Sequence, residues 1–275
     1  MRDQLSRHNF WIIALNSTAA YILSYLFLFY LNQFSYLLTA GMYDYAIHID
    51  YASYFFHIEP YEWTHDSVML IFSSGYILTF IMGLLSLLAF YQLVADAIPV
   101  KVFFFWTIFH AMTYVFGGLM LGNLLTEGVG HVFNWLYLDS TTKMVISLVG
   151  FFGLMVMSIF SARLVSLSAN VYFEKYNERM APFFITAQVI VPYLIGATLV
   201  FVYFLPKSQF HERYSWVIVG VMILLFYLRV RFNDDLMFEE DDKRTFRLMK
   251  GFIIFTALFY VLSRIFMAKG IYIDW

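Results

Sequence analysis

The segment at residues 109–138, FHAMTYVFGGLMLGNLLTEGVGHVFNWLYL, contains residue types that acid–base or metal chemistry requires. His110 lies in its apolar part, where an ionisable side chain is costly to bury without a partner. Such a residue is a candidate for function, here as a proton relay. The alternative is a neutral imidazole that forms a hydrogen bond across a helix interface, and the sequence leaves both open.

Glu127 and His131 lie four residues apart near the end of the same segment. On a continuous helix they would share one face and could act as an acid–base pair or as two metal ligands. Gly128 and Gly130 favour a break in that helix. The simpler alternative is a pair of interfacial charges that reach water. With His110, these two residues are the catalytic candidates.

A second group of histidines lies in residues 39–65, in the sequences HID, HIE and EWTH. His48 and His57 each precede a carboxylate by two residues, a spacing that shares one face of a strand. Imidazole and carboxylate without thiolate suit zinc or another divalent transition ion. The metal-ligand candidates are His48, His57, His65, Glu127 and His131. The spacing matches no closed metal motif, so a solvated acidic loop, or a loop that attracts cations, is the alternative.

Several classes of site are excluded by what the sequence lacks. There is no cysteine, which excludes thiolate metal sites, Fe–S clusters and cysteine nucleophiles. The zinc motif H-E-x-x-H is absent, because the only HE pair lies in HERYS at 211–215, and no nucleotide-binding P-loop is present. The net charge of −2 and the scattered basic residues argue against a nucleic-acid partner.

The composition indicates that membrane-spanning helices position these residues. Of the 275 residues, 61% are hydrophobic and 13% are charged, and the mean hydropathy is +0.71. Soluble domains have roughly 45–50% apolar and about 25% charged residues. We therefore expect an all-α integral membrane protein in which the bilayer is the main partner.

Long apolar runs predict about seven transmembrane helices, since a span needs about 20 mainly apolar residues. They lie at about 10–38, 66–95, 99–125, 143–168, 181–205, 214–230 and 248–268. Pro99 and Pro182 suit the first turns of the third and fifth helices. Pro192 lies inside the fifth helix and predicts a kink.

The distribution of lysine and arginine predicts the orientation. With the N-terminus in the cytoplasm, twelve of the 17 basic residues fall on the inner side, so the C-terminus is expected outside. Residues 1–275 then form a single membrane domain. Residues at about 39–65 form a structured outer cap, and the loop at about 229–250 carries an acidic block between basic flanks that suit anionic headgroups.

Three glycines of the third helix predict close helix packing. Gly118 and Gly122 have the small-xxx-small spacing that lets a second helix approach the backbone, and Gly117 adjoins them. The aromatic content, 21% of all residues, supplies further interhelical surface.

The leading functional expectation is a non-enzymatic subunit or scaffold of a larger assembly in the bacterial inner membrane. Its partners would be other membrane subunits or further copies of the chain. The alternative is a membrane enzyme or a metal- or cation-handling protein with the outer histidine and carboxylate site and His110 as an intramembrane relay. A channel or carrier, the third possibility, needs a water-filled path past His110.

Overall fold

The computed structural model describes residues 4–93, 98–207, 210–230, 236–238, 244 and 246–275. This part of the chain is mostly helical, and six of its helices are long and apolar enough to cross a membrane. The six are Arg7–Gly41, His65–Gln92, Pro99–Leu125, Ser140–Val171, Ala181–Phe204 and Lys250–Lys269. The expectation of a helical, multi-pass membrane protein is confirmed at this level.

The elements follow one another with short connections. The helices are α1 (Arg7–Gly41), α2 (His65–Gln92), α3 (Ile98–Gly117), α4 (Asn123–Leu125), α5 (Gly130–Trp135), α6 (Ser140–Ser168), α7 (Ala181–Ile185), α8 (Val191–Phe204), α9 (Phe210–Val230) and α10 (Lys250–Phe266). The strands are β1 (Ile47–Ile49), β2 (Tyr54–Phe56), β3 (Lys175–Tyr176), β4 (Leu236–Met237) and β5 (Ile271–Ile273).

The span predicted at 214–230 differs from the other six. The helix α9 has 21 residues, but its apolar described stretch, Tyr214–Tyr227, is shorter than a span. The side chains at 210–213 and 228–230 lie outside the described residues, so the described stretch is shorter than the helix itself. The described residues thus contain six helices of span length, and the seventh span stays a prediction.

Side-chain caps fix where the long helices begin. The Ser6 hydroxyl accepts a hydrogen bond from the Asn9 amide at 3.2 Å at the start of α1. Thr64 caps α2, and the Asp139 carboxylate caps α6 by accepting from the amides of Thr141 and Thr142. Each cap satisfies amides that have no partner inside the helix.

The glycine-rich end of the third span is not a regular helix. After α3, residues Gly118–Gly122 form a π-helical turn, and α4 ends at Thr126, whose φ of 58° is left-handed. The Glu127 amide donates to the Gly122 carbonyl at 2.9 Å, which closes the end of the helix. Residues 126–129 therefore break the helix, as the two glycines between Glu127 and His131 favour.

Pro192 produces a second π-helical turn, at Thr186–Ile190, between α7 and α8. Proline has no amide hydrogen and its ring crowds the carbonyl four residues earlier, so a regular helix cannot continue through it. The wider π-helical turn before Pro192 accommodates the proline ring. The kink at Pro192 stays a prediction.

Two small sheets accompany the helices. β1 pairs antiparallel with both β2 and β5, with Ile47 opposite Phe56 and Ile273. The C-terminal strand therefore adds to the cap between α1 and α2. β3 and β4 form the second sheet, with Lys175 opposite Met237.

The helix α1 forms the centre of the bundle, and its neighbours are α2, α3, α8 and α10. It is largely buried, whereas α10 lies at the periphery and Thr256 is the residue that it buries. The core around α1 is aromatic, and Trp106, Tyr21 and Phe105 are among its largest fully buried side chains.

Candidate functional site

His110 lies in the core on the face of α3 that packs against α1, and 3% of its surface is exposed. Its Nε2 is 3.2 Å from the carbonyl oxygen of Tyr21. The ring centroids of Tyr21, Tyr25 and Trp106 lie 4.5, 5.3 and 5.7 Å from that of the imidazole. His110 is thus held by one backbone hydrogen bond and three aromatic rings.

A small cavity of about 30 Å³ adjoins the imidazole. Its lining residues are Tyr25, Leu28, Phe29, Asn32, His110, Thr113, Tyr114, Ser215 and Ile218. Its volume is enough for about two or three water molecules, since each water needs about 10–15 Å³. The cavity is therefore too small for an organic substrate.

Among the described residues, two buried nitrogens with no hydrogen-bond partner belong to side chains that line this cavity. They are His110 Nδ1 and Asn32 Nδ2. With the Nε2 hydrogen donated to Tyr21, Nδ1 is an acceptor. Asn32 Oδ1 accepts from the Thr79 hydroxyl at 2.9 Å, which identifies Nδ2 as a donor. A water in the cavity would satisfy either nitrogen, by donating to Nδ1 or by accepting from Nδ2.

The polar neighbours of His110 in the cavity are hydroxyl and amide groups, from Tyr25, Asn32, Thr113, Tyr114 and Ser215. None of the described residues that line the cavity carries a carboxylate. Ser74, on α2, bonds to Ser35 and to the Ile71 carbonyl, and Ser73 donates to the Met69 carbonyl, so neither serine hydroxyl bonds to His110. In this arrangement the imidazole can hold a water molecule and bridge α3 to α1.

Glu127 lies within the break after α4 and His131 lies in α5, at the C-terminal end of the third span. His131 packs on the Phe72 ring at a centroid distance of 4.8 Å. Desolvation lowers the pKa of His131, and the negative charge of Glu127 partly opposes this. The two residues interact electrostatically without sharing a continuous helix.

The outer histidines are divided between two elements. His48 and His57 lie on the cap sheet with ring centroids 6.4 Å apart, and His57 also contacts Tyr272 of β5. His65 is exposed at the first residue of α2. Within the described ranges, no group of three or more His, Cys, Asp or Glu side chains is placed to hold a metal ion. The five metal candidates are therefore not brought together as one cluster.

One ion pair at the same end was missed by sequence reasoning. Asp50, whose side chain is 3% exposed, accepts a 2.9 Å hydrogen bond from Lys207, in the connection between α8 and α9. It also accepts from the amides of Ala52 and Ser53 at 2.8 and 2.7 Å. Burial alone would raise the pKa of Asp50, but these hydrogen bonds together lower it. The available signal was an aspartate followed by a serine three residues later, which is typical of a side-chain-bonded turn.

The three packing glycines contact other elements of the same chain. A methyl group at Gly118 would lie 2.2 Å from the Tyr76 ring of α2, and one at Gly117 would lie 2.7 Å from Ile218 of α9. The Gly122 carbonyl lies against Gly130. The glycines thus allow close packing between elements of this chain.

The comparisons with known proteins give no relative for this arrangement. No protein-family model, no characterised protein and no solved structure shows a significant match to the chain.

Proposed function

We propose that this chain is a non-enzymatic subunit of a larger assembly in a bacterial inner membrane, with the outer face of its cap sheet as the docking surface. The observation that carries the proposal is the exposure of aromatic side chains on that face. Phe55 is 62% exposed and Tyr272 is 57% exposed. Both lie outside the six helices of span length, where lipid tails do not account for apolar exposure.

The two faces of the cap sheet differ because side chains alternate along a strand. On one face, Ile47 and Ile49 are buried and pack on Tyr36 of α1 and Ile71 of α2. On the other, Phe55, His57 and Tyr272 are exposed, and the His57 ring contacts both aromatic rings. His48 lies between Phe55 and Tyr272 in the strand register. Exposed aromatic residues on a rigid sheet are typical of protein interfaces, which are enriched in such residues.

The orientation that we propose places the cap outside and the N-terminus in the cytoplasm. The excess of lysine and arginine at the opposite end supports it. The pairing of β1 with β5 supports an odd number of crossings between the two chain ends, because it joins the end of α1 to the end of α10. At a rise of 1.5 Å per residue, the 21 residues of α9 extend about 31 Å, so α9 is long enough to be the seventh crossing.

In this proposal the glycines of the third span do not contact the partner subunit. Gly117, Gly118 and Gly122 already contact other parts of this chain. The cap sheet and the peripheral helix α10, whose Phe255, Leu258 and Leu262 are exposed, remain for the partner, which is another membrane subunit or a second copy.

The test is the size of the native complex. We expect the chain purified from native membranes in mild detergent to have a mass well above 32.4 kDa by light scattering, after correction for detergent. A Phe55→Glu/Tyr272→Glu variant should run as a monomer with an unchanged thermal transition. Tyr137→Glu is the matched control, because Tyr137 is also aromatic, exposed and outside the helices. A stable wild-type monomer would contradict the proposal.

A second candidate function is the binding of a divalent transition ion such as zinc at the cap. The observation in its favour is the pair of His48 and His57 on one sheet face, with ring centroids 6.4 Å apart. Elemental analysis of the gently solubilised protein tests it, with His57→Ala as the variant and His65→Ala as the control outside the pair. A stoichiometric metal that is lost only with His57 supports this function, and equal metal content in all three proteins contradicts it.

A further inference from the structure

We infer that the cavity between the first turns of α1 and the start of α10 binds the phosphate headgroup of an anionic phospholipid. This inference is independent of the proposed function. The cavity has a volume of about 900 Å³, within the range of about 300–1,000 Å³ typical of ligand sites. Three of its lining residues carry basic side chains, namely His8, Arg247 and Lys250.

The cavity arises because α10 begins beside the third turn of α1 and not beside its first turn. Asn16 of α1 contacts the segment that leads into α10, and it lies nine residues after Arg7, the first residue of α1. At 1.5 Å per residue, the first 14 Å or so of α1 therefore have no α10 beside them. Trp11, Leu15 and Pro99 supply the apolar wall of the resulting space.

A buried side chain fixes the basic wall of the cavity. Asn16, which is 1% exposed, donates from Nδ2 to the Arg247 carbonyl at 3.0 Å and accepts at Oδ1 from the Met249 amide at 2.9 Å. These two bonds hold the backbone before Lys250 against α1. The positions of the two cations are thus set by the bundle rather than by a free loop.

The charges of this wall are available for a ligand. Among the described residues, Arg247 and Lys250 are exposed and have no ion-pair partner, and none of the residues that line the cavity is acidic. Next to Lys250, a Cβ added at Gly251 would lie more than 4 Å from any atom of the described residues. Within the described part of the chain, both cations are thus exposed, and the space beside Lys250 is open to an anion.

The combination of cations with apolar and aromatic walls favours a lipid over free phosphate. Arginine and lysine bind the phosphate oxygens, and each basic residue near the surface of an anionic membrane contributes about 1 kcal/mol. Trp11 and Phe252 offer the aromatic surface that suits the glycerol and upper acyl region. Basic pockets between transmembrane helices on the cytoplasmic side bind anionic headgroups for these reasons.

The experiment is a lipid titration followed by native mass spectrometry of the whole chain in detergent. We expect phosphatidylglycerol to bind well above phosphatidylcholine, and Arg247→Ala/Lys250→Ala to weaken phosphatidylglycerol binding roughly thirtyfold, since about 1 kcal/mol is lost for each charge. Lys269→Ala is the matched control, because Lys269 is an exposed lysine beyond the opposite end of α10. It should bind phosphatidylglycerol as the wild type does.

A second variant separates loss of the site from loss of the fold. Gly251→Leu fills the open space without changing the charge, and it should reduce phosphatidylglycerol binding while leaving the thermal transition intact. Equal loss in the Lys269→Ala control, or equal binding of phosphatidylcholine, would overturn the inference. Glycerol phosphate that competes as strongly as the lipid would also overturn it, because the anion alone would then be the ligand.

Discussion

The Ser17 hydroxyl donates a 2.6 Å hydrogen bond to the carbonyl of Gln188, which lies four residues before Pro192. In a regular helix the amide at position 192 would donate to that carbonyl, but proline has no amide hydrogen. The same hydroxyl accepts from the Trp106 indole at 2.8 Å. One serine on α1 thus supplies the missing donor and joins α3 to the π-helical turn before α8.

The first prediction concerns this compensation. Ser17→Ala should destabilise the bundle by about 1 to 2 kcal/mol, because it leaves the Gln188 carbonyl and the Trp106 indole unpaired in the core. In a Pro192→Ala background the penalty should shrink, since the helix amide then serves the carbonyl. Thermal unfolding of the four proteins in detergent measures the coupling.

Ser24→Ala is the control for that cycle. Ser24 is equally buried on α1, but its hydroxyl bonds to the Tyr21 carbonyl of its own helix. Its effect should not depend on residue 192. Identical penalties for Ser17→Ala with and without Pro192 would show that the two sites are not coupled.

The second prediction concerns acid stability at the cap. The pKa of Asp50 is lowered in the folded state, so the carboxylate contributes stability above its unfolded pKa of about 4 and loses it as the pH falls through the folded value. Asp50→Asn should therefore lower the melting temperature at pH 7, and the difference should disappear well below pH 4.

Lys207→Met tests the cause of this pKa shift. Burial raises the pKa of Asp50 and hydrogen bonds lower it. Because Lys207→Met removes one of these hydrogen bonds together with its positive charge, the pKa of the carboxyl should rise. The acid-induced loss of stability should then begin at a higher pH than in the wild type. Melting curves between pH 3 and pH 7 decide this, and an unchanged profile would mean that the amides of Ala52 and Ser53 alone hold the charge.

The helices could be predicted from sequence because their signals are local. The span expected at 143–168 is Ser140–Ser168 in the structure, and the difference at its start comes from the Asp139 cap. The break at residues 126–129 was likewise predicted from Gly128 and Gly130. Long apolar runs and caps act within a few residues, so no tertiary contact is needed to recognise them.

The contacts that position the candidate site could not be predicted, because they join distant residues. Asp50 and Lys207 are separated by 157 positions. The strand β5 has three residues, too few for a sequence signal, and it forms through its pairing with β1. The partner of His110 is a backbone carbonyl, which every residue possesses, so nothing in the sequence pointed to Tyr21.

The third prediction concerns the glycine contact between α3 and α2. Gly118→Ala should destabilise the fold by about 1 to 3 kcal/mol, because the added methyl would meet the Tyr76 ring at 2.2 Å. Gly251→Ala should be neutral or slightly stabilising, since a helical glycine is replaced where the space is open. A Tyr76→Leu change should relieve the Gly118→Ala clash, and failure of this rescue in melting experiments would place the strain elsewhere.

The fourth prediction separates a packing role of His110 from a chemical one. His110→Phe keeps a ring among Tyr21, Tyr25 and Trp106 but removes the bond to the Tyr21 carbonyl, and should cost about 1 kcal/mol. His110→Ala also leaves a cavity and should cost about 2 to 5 kcal/mol. The mass of the native complex should be unchanged in the Phe variant. A Phe variant that melts near the wild type but loses the complex would contradict the packing role, because only the imidazole chemistry would then have been removed.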